Sequence, residues 1–207
     1  MTTLWIGLAG AAALAYGTWF CHRAPSALRG VIKTVPLAVL AGLAFAAGAP
    51  LVLVAGFALS ALGDLALSRR GEAAFLTGLI AFAAAHIAYV WVFAGLAQGA
   101  LPLVPVAILL IYAASSEVWL SPHTGTLRWP VRGYVALITG MGLVALMLPA
   151  GYGIVTLGAG LFIASDTLLA VQMFRMAPDH PAQRAVSVAL WALYIAAQAL
   201  ILWGFMG

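Results

Sequence analysis

Long apolar tracts, interrupted by short clusters of polar and turn-forming residues, run the length of this chain. Breaking the tracts at those clusters predicts eight helices: Thr3–Phe20, Val31–Ala49, Leu51–Leu67, Glu72–Ala97, Leu101–Leu120, Val131–Pro149, Tyr152–Phe174 and Gln183–Phe205. A bilayer's hydrocarbon core takes about twenty helical residues, so eight such helices use most of the 207 residues. No low-complexity tract or linker interrupts them, and the longest connection, Ser121–Arg132, is short. The expected fold is all-α: a polytopic membrane helix bundle of about eight transmembrane helices, forming one transmembrane domain over residues 1–207.

Composition supports the class, since 65% hydrophobic and 7% charged residues exclude an ordinary soluble domain. The position of the charges adds topology. All nine basic residues fall in or beside alternate connections: Arg23, Arg29 and Lys33 after the first span, Arg69 and Arg70 after the third, Arg128 and Arg132 after the fifth, Arg175 and Arg184 after the seventh. Cytoplasmic loops carry the excess of Lys and Arg, so both termini are expected on the non-cytoplasmic side. The net charge of +4 then reflects topology and attraction to anionic headgroups, and no nucleic-acid partner is expected. The first apolar run lacks a basic leader and a small-residue cleavage site before Cys21, so it reads as a span. Cys21 is the only cysteine, which excludes an internal disulfide.

Against this background, Asp64 in the third span and Asp166 in the seventh stand out. An ionisable group in hydrocarbon is costly and marks a functional site by default. Asp64 lies five residues before Arg69 and Asp166 nine before Arg175, roughly 8 and 14 Å from the basic rim at 1.5 Å per residue. Both belong to the cytoplasmic half. Each follows a small residue, Gly63 or Ser165, and precedes leucine within two positions.

Other polar groups at membrane depth gather on particular helix faces. In the fourth span Phe75, Gly78, Leu79, Phe82, His86 and Tyr89 recur at spacings of three and four. Tyr194 and Gln198 share a face of the eighth span at i, i+4, Tyr134 lies in the sixth, and Lys33 and Glu117 lie near span ends. Lys33 and Glu117 also fit side chains that simply snorkel to the interface, and the aromatic face of the fourth span also fits plain helix packing.

Several chemistries lack their residues. Of the four histidines only His86 is in a span, and no His-x-x-x-His or Glu-x-x-x-His pair exists, so no metal site is expected. There is no Gly-x-Ser-x-Gly frame for a serine hydrolase. What remains is a pair of carboxyls with hydroxyl, amide and imidazole neighbours. Two carboxyls in one low-dielectric site do not both ionise cheaply, so the pair holds a proton at neutral pH. A neutral acid beside an anion suits cleavage of an acid-labile bond through an oxocarbenium-like state. The same pair suits a proton-coupled small-molecule or lipid transporter, and a structural pair held by interhelical hydrogen bonds fits a non-catalytic scaffold.

The ordered motifs resemble a known family. Gly63-Asp64-x-x-Leu67, then Phe75-x-x-Gly78-x-x-x-Phe82-x-x-x-His86-x-x-Tyr89, then Leu161-Phe162-x-x-Ser165-Asp166-x-x-Leu169 with Phe174, then Tyr194-x-x-x-Gln198-x-Leu200-Ile201, together with Lys33-x-x-Pro36 and Val131-x-x-Tyr134 with Met141, look like the YhhN-like lysoplasmalogenases. The resemblance covers essentially the whole chain. It implies an integral membrane hydrolase, in a bacterial cytoplasmic (inner) membrane, that cleaves the vinyl ether bond of lysoplasmenyl-phosphoethanolamine or -phosphocholine without metal or organic cofactor. A lysophospholipid and the surrounding membrane lipids would be its partners. Asp64 and Asp166 would be catalytic, in roles the sequence does not distinguish. Lys33, Phe82, His86, Tyr89, Glu117, Tyr134, Ser165, Tyr194 and Gln198 would support them, and Arg69 and Arg70 would meet the headgroup.

Overall fold

The computed structural model describes residues 2–206. All regular structure among them is helical, in eight long helices: α1 (Thr2–Ala15), α2 (Ala27–Ala46), α3 (Leu51–Leu67), α4 (Glu72–Leu96), α5 (Leu103–Trp119), α6 (Arg128–Ala145), α7 (Gly153–Phe174) and α8 (Gln183–Gly204). Each expected span has its helix, with shifted ends in all but the third. α2 begins four residues before Val31 because the Ser26 side chain caps it, accepting from the Arg29 backbone N–H at 3.1 Å. Arg29 and Lys33 therefore lie inside the helix. α6 begins at Arg128, since Pro130 is tolerated in a first turn. α1 gives way to a π-helical turn over Tyr16–Phe20.

Six helical stretches are long and apolar enough to cross a membrane: Thr2–Phe20, Ala27–Ala46, Glu72–Leu96, Leu103–His123, Ala150–Phe174 and Gln183–Gly204. α3 is apolar but has only 17 residues, and α6 opens on the polar run Arg128-Trp129-Pro130 with Arg132 a turn later. The chain is an integral membrane protein.

Packing follows chain order in α1–α2, α2–α3, α3–α4 and α7–α8, and α6 bridges the halves by touching both α4 and α7. One apolar cluster, including Leu37, Leu53, Phe57, Phe93, Met141 and Phe162, runs through the centre. The Trp191 indole donates to the Ala13 carbonyl at 2.9 Å and its ring lies 4.4 Å from Tyr16, fastening α1 to α8. Large apolar side chains such as Leu4, Trp91, Leu103, Val118 and Trp203 are exposed on the outside, as a lipid-facing surface requires.

Two glycines set helix approaches that matter for the polar interior. A Cβ at Gly30 would lie 2.7 Å from the Ser68 hydroxyl, so only glycine lets the start of α2 sit against the end of α3. A Cβ at Gly63 would lie 2.6 Å from the Phe82 ring, which packs directly on the α3 backbone. Small residues at such contacts are how helices come close in a membrane.

Candidate functional site

The Gly30–Ser68 contact fixes the register of α2 on α3. Lys33, one turn after Gly30, meets Asp64, one turn before Ser68, with Nζ 3.1 Å from Oδ1. Lys33 is thus turned into the bundle and does not snorkel; its side chain is only 12% exposed. The second oxygen of Asp64 accepts from the Tyr194 hydroxyl at 2.8 Å. Asp64 is fully buried, and both its oxygens have partners.

α3 and α8 are joined by a two-rung ladder. Ser60 and Asp64 share a face of α3 at i, i+4, as Tyr194 and Gln198 do on α8. Gln198 Nε2 donates to Ser60 Oγ at 3.1 Å, one turn from the Tyr194–Asp64 bond. Tyr89 of α4 donates to Gln198 Oε1 at 2.7 Å, and Ser60 donates to the Gly56 carbonyl at 2.9 Å, so every buried group in this network has a partner. Ser60 was not anticipated among the site residues; its signal is its place one turn before Asp64.

Asp166 sits in different surroundings. Tyr134 donates to its Oδ2, no cation pairs with it among the described residues, and it lines a narrow apolar cleft of about 90 Å³ with Phe82, Tyr112, Ile138 and Ile163. Between the two carboxyls runs an aromatic wall: Tyr194 lies 5.5 Å from Phe162, Phe162 4.7 Å from His86, and His86 5.2 Å from Tyr134, ring centre to ring centre. Phe82 stacks edge-on against both Phe162 and Tyr194.

His86 is fully buried, with Nδ1 2.7 Å from the Phe82 carbonyl. A carbonyl only accepts, so Nδ1 carries hydrogen and Nε2 of the neutral ring is an acceptor. Among the described residues Nε2 has no partner, a deficit worth roughly 1–3 kcal/mol.

A second, more polar cleft of about 550 Å³ adjoins the first, sharing Leu67, Phe75, Leu169 and Met173. Lys33, Arg29, Arg69, Glu72, Gln172 and Ser187 contribute to its lining. Arg29 is engaged with Tyr16 Oη at 2.9 Å and the Phe20 carbonyl at 3.0 Å. Residues in or beside the first, third, fifth and seventh connections therefore meet around one opening, at the end that carries the basic residues.

Two expected supporting residues and one expected headgroup residue stand elsewhere. Glu117 is exposed on α5 and pairs with Arg132 of α6, not with either aspartate. Ser165 is buried, but its hydroxyl donates to the Leu190 carbonyl at 3.0 Å and ties α7 to α8. Arg70 is exposed and lines neither cleft, unlike its neighbour Arg69.

Comparison with known proteins agrees over most of the chain. "Lysoplasmalogenase" of Mycobacterium bovis is 33% identical over 138 residues, covering 64% of this chain and 51% of that protein. "Lysoplasmalogenase TMEM86B" of Sus scrofa is 32% identical over 196 residues, covering 88% of this chain and 77% of that one, and its Homo sapiens counterpart is 31% identical over 194 residues, covering 88% and 79%. The chain spans about half the length of the mycobacterial relative. No solved structure matches. The YhhN family model matches residues 28–205, a stretch that holds both aspartates, their Lys33, Tyr134 and Tyr194 partners and both clefts' charged lining, and the chain belongs to the YhhN family.

Proposed function

We propose that this protein is a lysoplasmalogenase, hydrolysing the vinyl ether bond of lysoplasmenyl-phosphoethanolamine or -phosphocholine to a fatty aldehyde and a glycerophospho-headgroup. The observation that carries the reading is the unequal environment of the two aspartates: Asp166 lines an apolar cleft, whereas Asp64 is buried in an ion pair and lines neither cleft. Asp64, with Lys33 and Tyr194 on its two oxygens, is the fixed anion. Asp166 has no cationic partner among the described residues, and Tyr134 occupies only Oδ2, leaving Oδ1 to carry the proton toward the cleft.

The reaction then runs in three balanced steps. Asp166 gives its proton to the β-carbon of the vinyl ether: the C=C π pair forms the new C–H bond, the O–H pair stays on the Asp166 carboxylate, and a lone pair of the ether oxygen delocalises onto the α-carbon to make an oxocarbenium ion. Water adds to the cationic carbon and returns a proton to the Asp166 carboxylate, leaving a hemiacetal. The hemiacetal collapses, its hydroxyl proton passing to the glycerol oxygen, to aldehyde and glycerophospho-headgroup. A positioned acid of this kind contributes about 10²- to 10⁴-fold. In this reading Asp64 supplies a fixed negative charge that favours the positive charge developing on the substrate, an electrostatic role that a fixed group fills without reorganising. Tyr134, Tyr194, Gln198, Tyr89, Phe82 and His86 hold this arrangement, and Arg69 receives the headgroup phosphate at the polar cleft.

The same reading makes residues 1–207 one transmembrane domain with eight spans. Both termini lie outside the cytoplasm, and the clefts open toward the cytoplasmic half of a bacterial inner membrane. The gathering of the basic connections at one end supports this orientation.

The deciding experiment is aldehyde release by the purified protein from the vinyl ether lysolipid, against matched acyl and saturated-ether lysolipids, with Asp64→Asn and Asp166→Asn alongside. Release from the vinyl ether alone, lost in Asp166→Asn, supports the mechanism. Folded protein that releases nothing, yet carries protons into liposomes with a solute, overturns it in favour of a transporter.

A further inference from the structure

The polar cleft holds four charged side chains, and two are already committed: Lys33 to Asp64, and Arg29 to Tyr16 and the Phe20 carbonyl. Arg69 and Glu72 also line it, and neither has an ion-pair partner among the described residues. They flank the reversal between α3 and α4, where Gly71 takes a φ of 102° that favours glycine. The cleft mouth therefore presents one uncommitted cation and one uncommitted carboxylate, three residues apart. Two like cations would suit an anionic headgroup. A cation with a carboxylate suits a zwitterion.

We propose that the Arg69–Glu72 turn selects a zwitterionic phosphodiester headgroup, with its phosphate at Arg69 and its ammonium group at Glu72. This rests on the reading that the chain acts on a lysophospholipid. The layout carries it: the polar cleft adjoins the apolar one across Leu67, Phe75, Leu169 and Met173, so a lipid with its tail beside Asp166 puts its headgroup on this turn. Glu72 makes the specificity, because Arg69 serves any phosphodiester and Glu72 is the one carboxylate among the described residues that line the polar cleft.

Glu72 is exposed in the first turn of α4, where a carboxylate also favours a helix start. The test must separate the two roles. Non-cleavable saturated 1-O-alkyl lysolipids bearing phosphocholine, phosphoethanolamine or phosphoglycerol are titrated onto the full-length protein, comparing the natural chain with Glu72→Gln and Arg69→Gln. Glu72→Gln is expected to weaken the choline and ethanolamine lipids about three- to fivefold, the scale of an exposed charge pair, and to leave the phosphoglycerol lipid unchanged. Arg69→Gln is expected to weaken all three. An equal effect of Glu72→Gln on all three lipids, no effect on any, or no binding of any lipid would overturn the proposal. Because these lipids are not cleaved, headgroup discrimination without aldehyde release from a vinyl ether sinks the hydrolase and spares this inference. Aldehyde release with an indifferent Glu72→Gln does the reverse.

Discussion

Lys33 Nζ and Asp64 Oδ1 lie 3.1 Å apart, on consecutive helices, with side chains 12% and 2% exposed. Removing one member of such a pair leaves an uncompensated buried charge and costs about 3–5 kcal/mol, whereas replacing both with neutral side chains is often close to neutral. Lys33→Met is therefore expected to lower the melting temperature in detergent sharply, and Lys33→Met combined with Asp64→Asn to recover most of the loss. Simple addition of the two single effects would show that the ion pair is not coupled.

Asp166 and Tyr134 are linked by a hydrogen bond to a carboxyl that faces the apolar cleft. Asp166→Asn, which keeps shape and removes the acid, is expected to lower kcat by about 10²- to 10⁴-fold with little change in melting temperature. Tyr134→Phe removes only a donor to that carboxyl and is expected to cost about 10- to 100-fold, the worth of a hydrogen bond to a charged group. Single-turnover aldehyde release reads both. A Tyr134→Phe enzyme as slow as Asp166→Asn would move the acid's role to the tyrosine.

The helices were legible in the sequence because apolar length and breaker residues act locally. α3 matches its expected range in full, while α2 and α6 start early for reasons held in single side chains, the Ser26 cap and the first-turn Pro130. Both aspartates were legible too, since charge at membrane depth is conspicuous. The difference between them was not. It depends on Gly30 seating α2 against Ser68, which brings Lys33 to Asp64 and none to Asp166. Glu117 misled for the same reason: near a span end, only tertiary packing decides whether a carboxylate faces the bundle or, as here, an arginine on the outside.

Gln198 accepts from Tyr89 and donates to Ser60 in a fully buried ladder. Gln198→Leu strands the buried Tyr89 hydroxyl, at roughly 1–3 kcal/mol, while Ser60 keeps its bond to the Gly56 carbonyl. The expected result is a lower melting temperature, partly restored by adding Tyr89→Phe, because the second change removes the stranded group. A further drop in the double variant would mean that the Tyr89 hydroxyl finds another partner.

Glu117 and Arg132 form an exposed pair, of a kind worth about 0.2–1 kcal/mol. Glu117→Ala is expected to keep aldehyde release within about twofold and melting nearly unchanged. A large loss of activity with intact folding would return Glu117 to the residues that support the site.

Gly63 precedes Asp64 and carries the Phe82 ring against its backbone, with a would-be Cβ only 2.6 Å from the ring. Phe82 also lines the apolar cleft and touches Phe162 and Tyr194. Gly63→Ala must push that ring away from α3, and overpacking of this sort costs typically about 1–3 kcal/mol. The displaced ring has the cleft on its open side, so the variant is expected to lose affinity for long alkyl chains more than for short ones. It is also expected to disturb Tyr194 and, through it, Asp64. Adding Phe82→Leu makes room for the methyl group, and is expected to restore the melting temperature together with the chain-length profile. Melting and KM across a series of chain lengths report the two effects separately. If Phe82→Leu restored stability while long chains stayed disfavoured, the cleft beside Phe82 would not be where the alkyl chain lies.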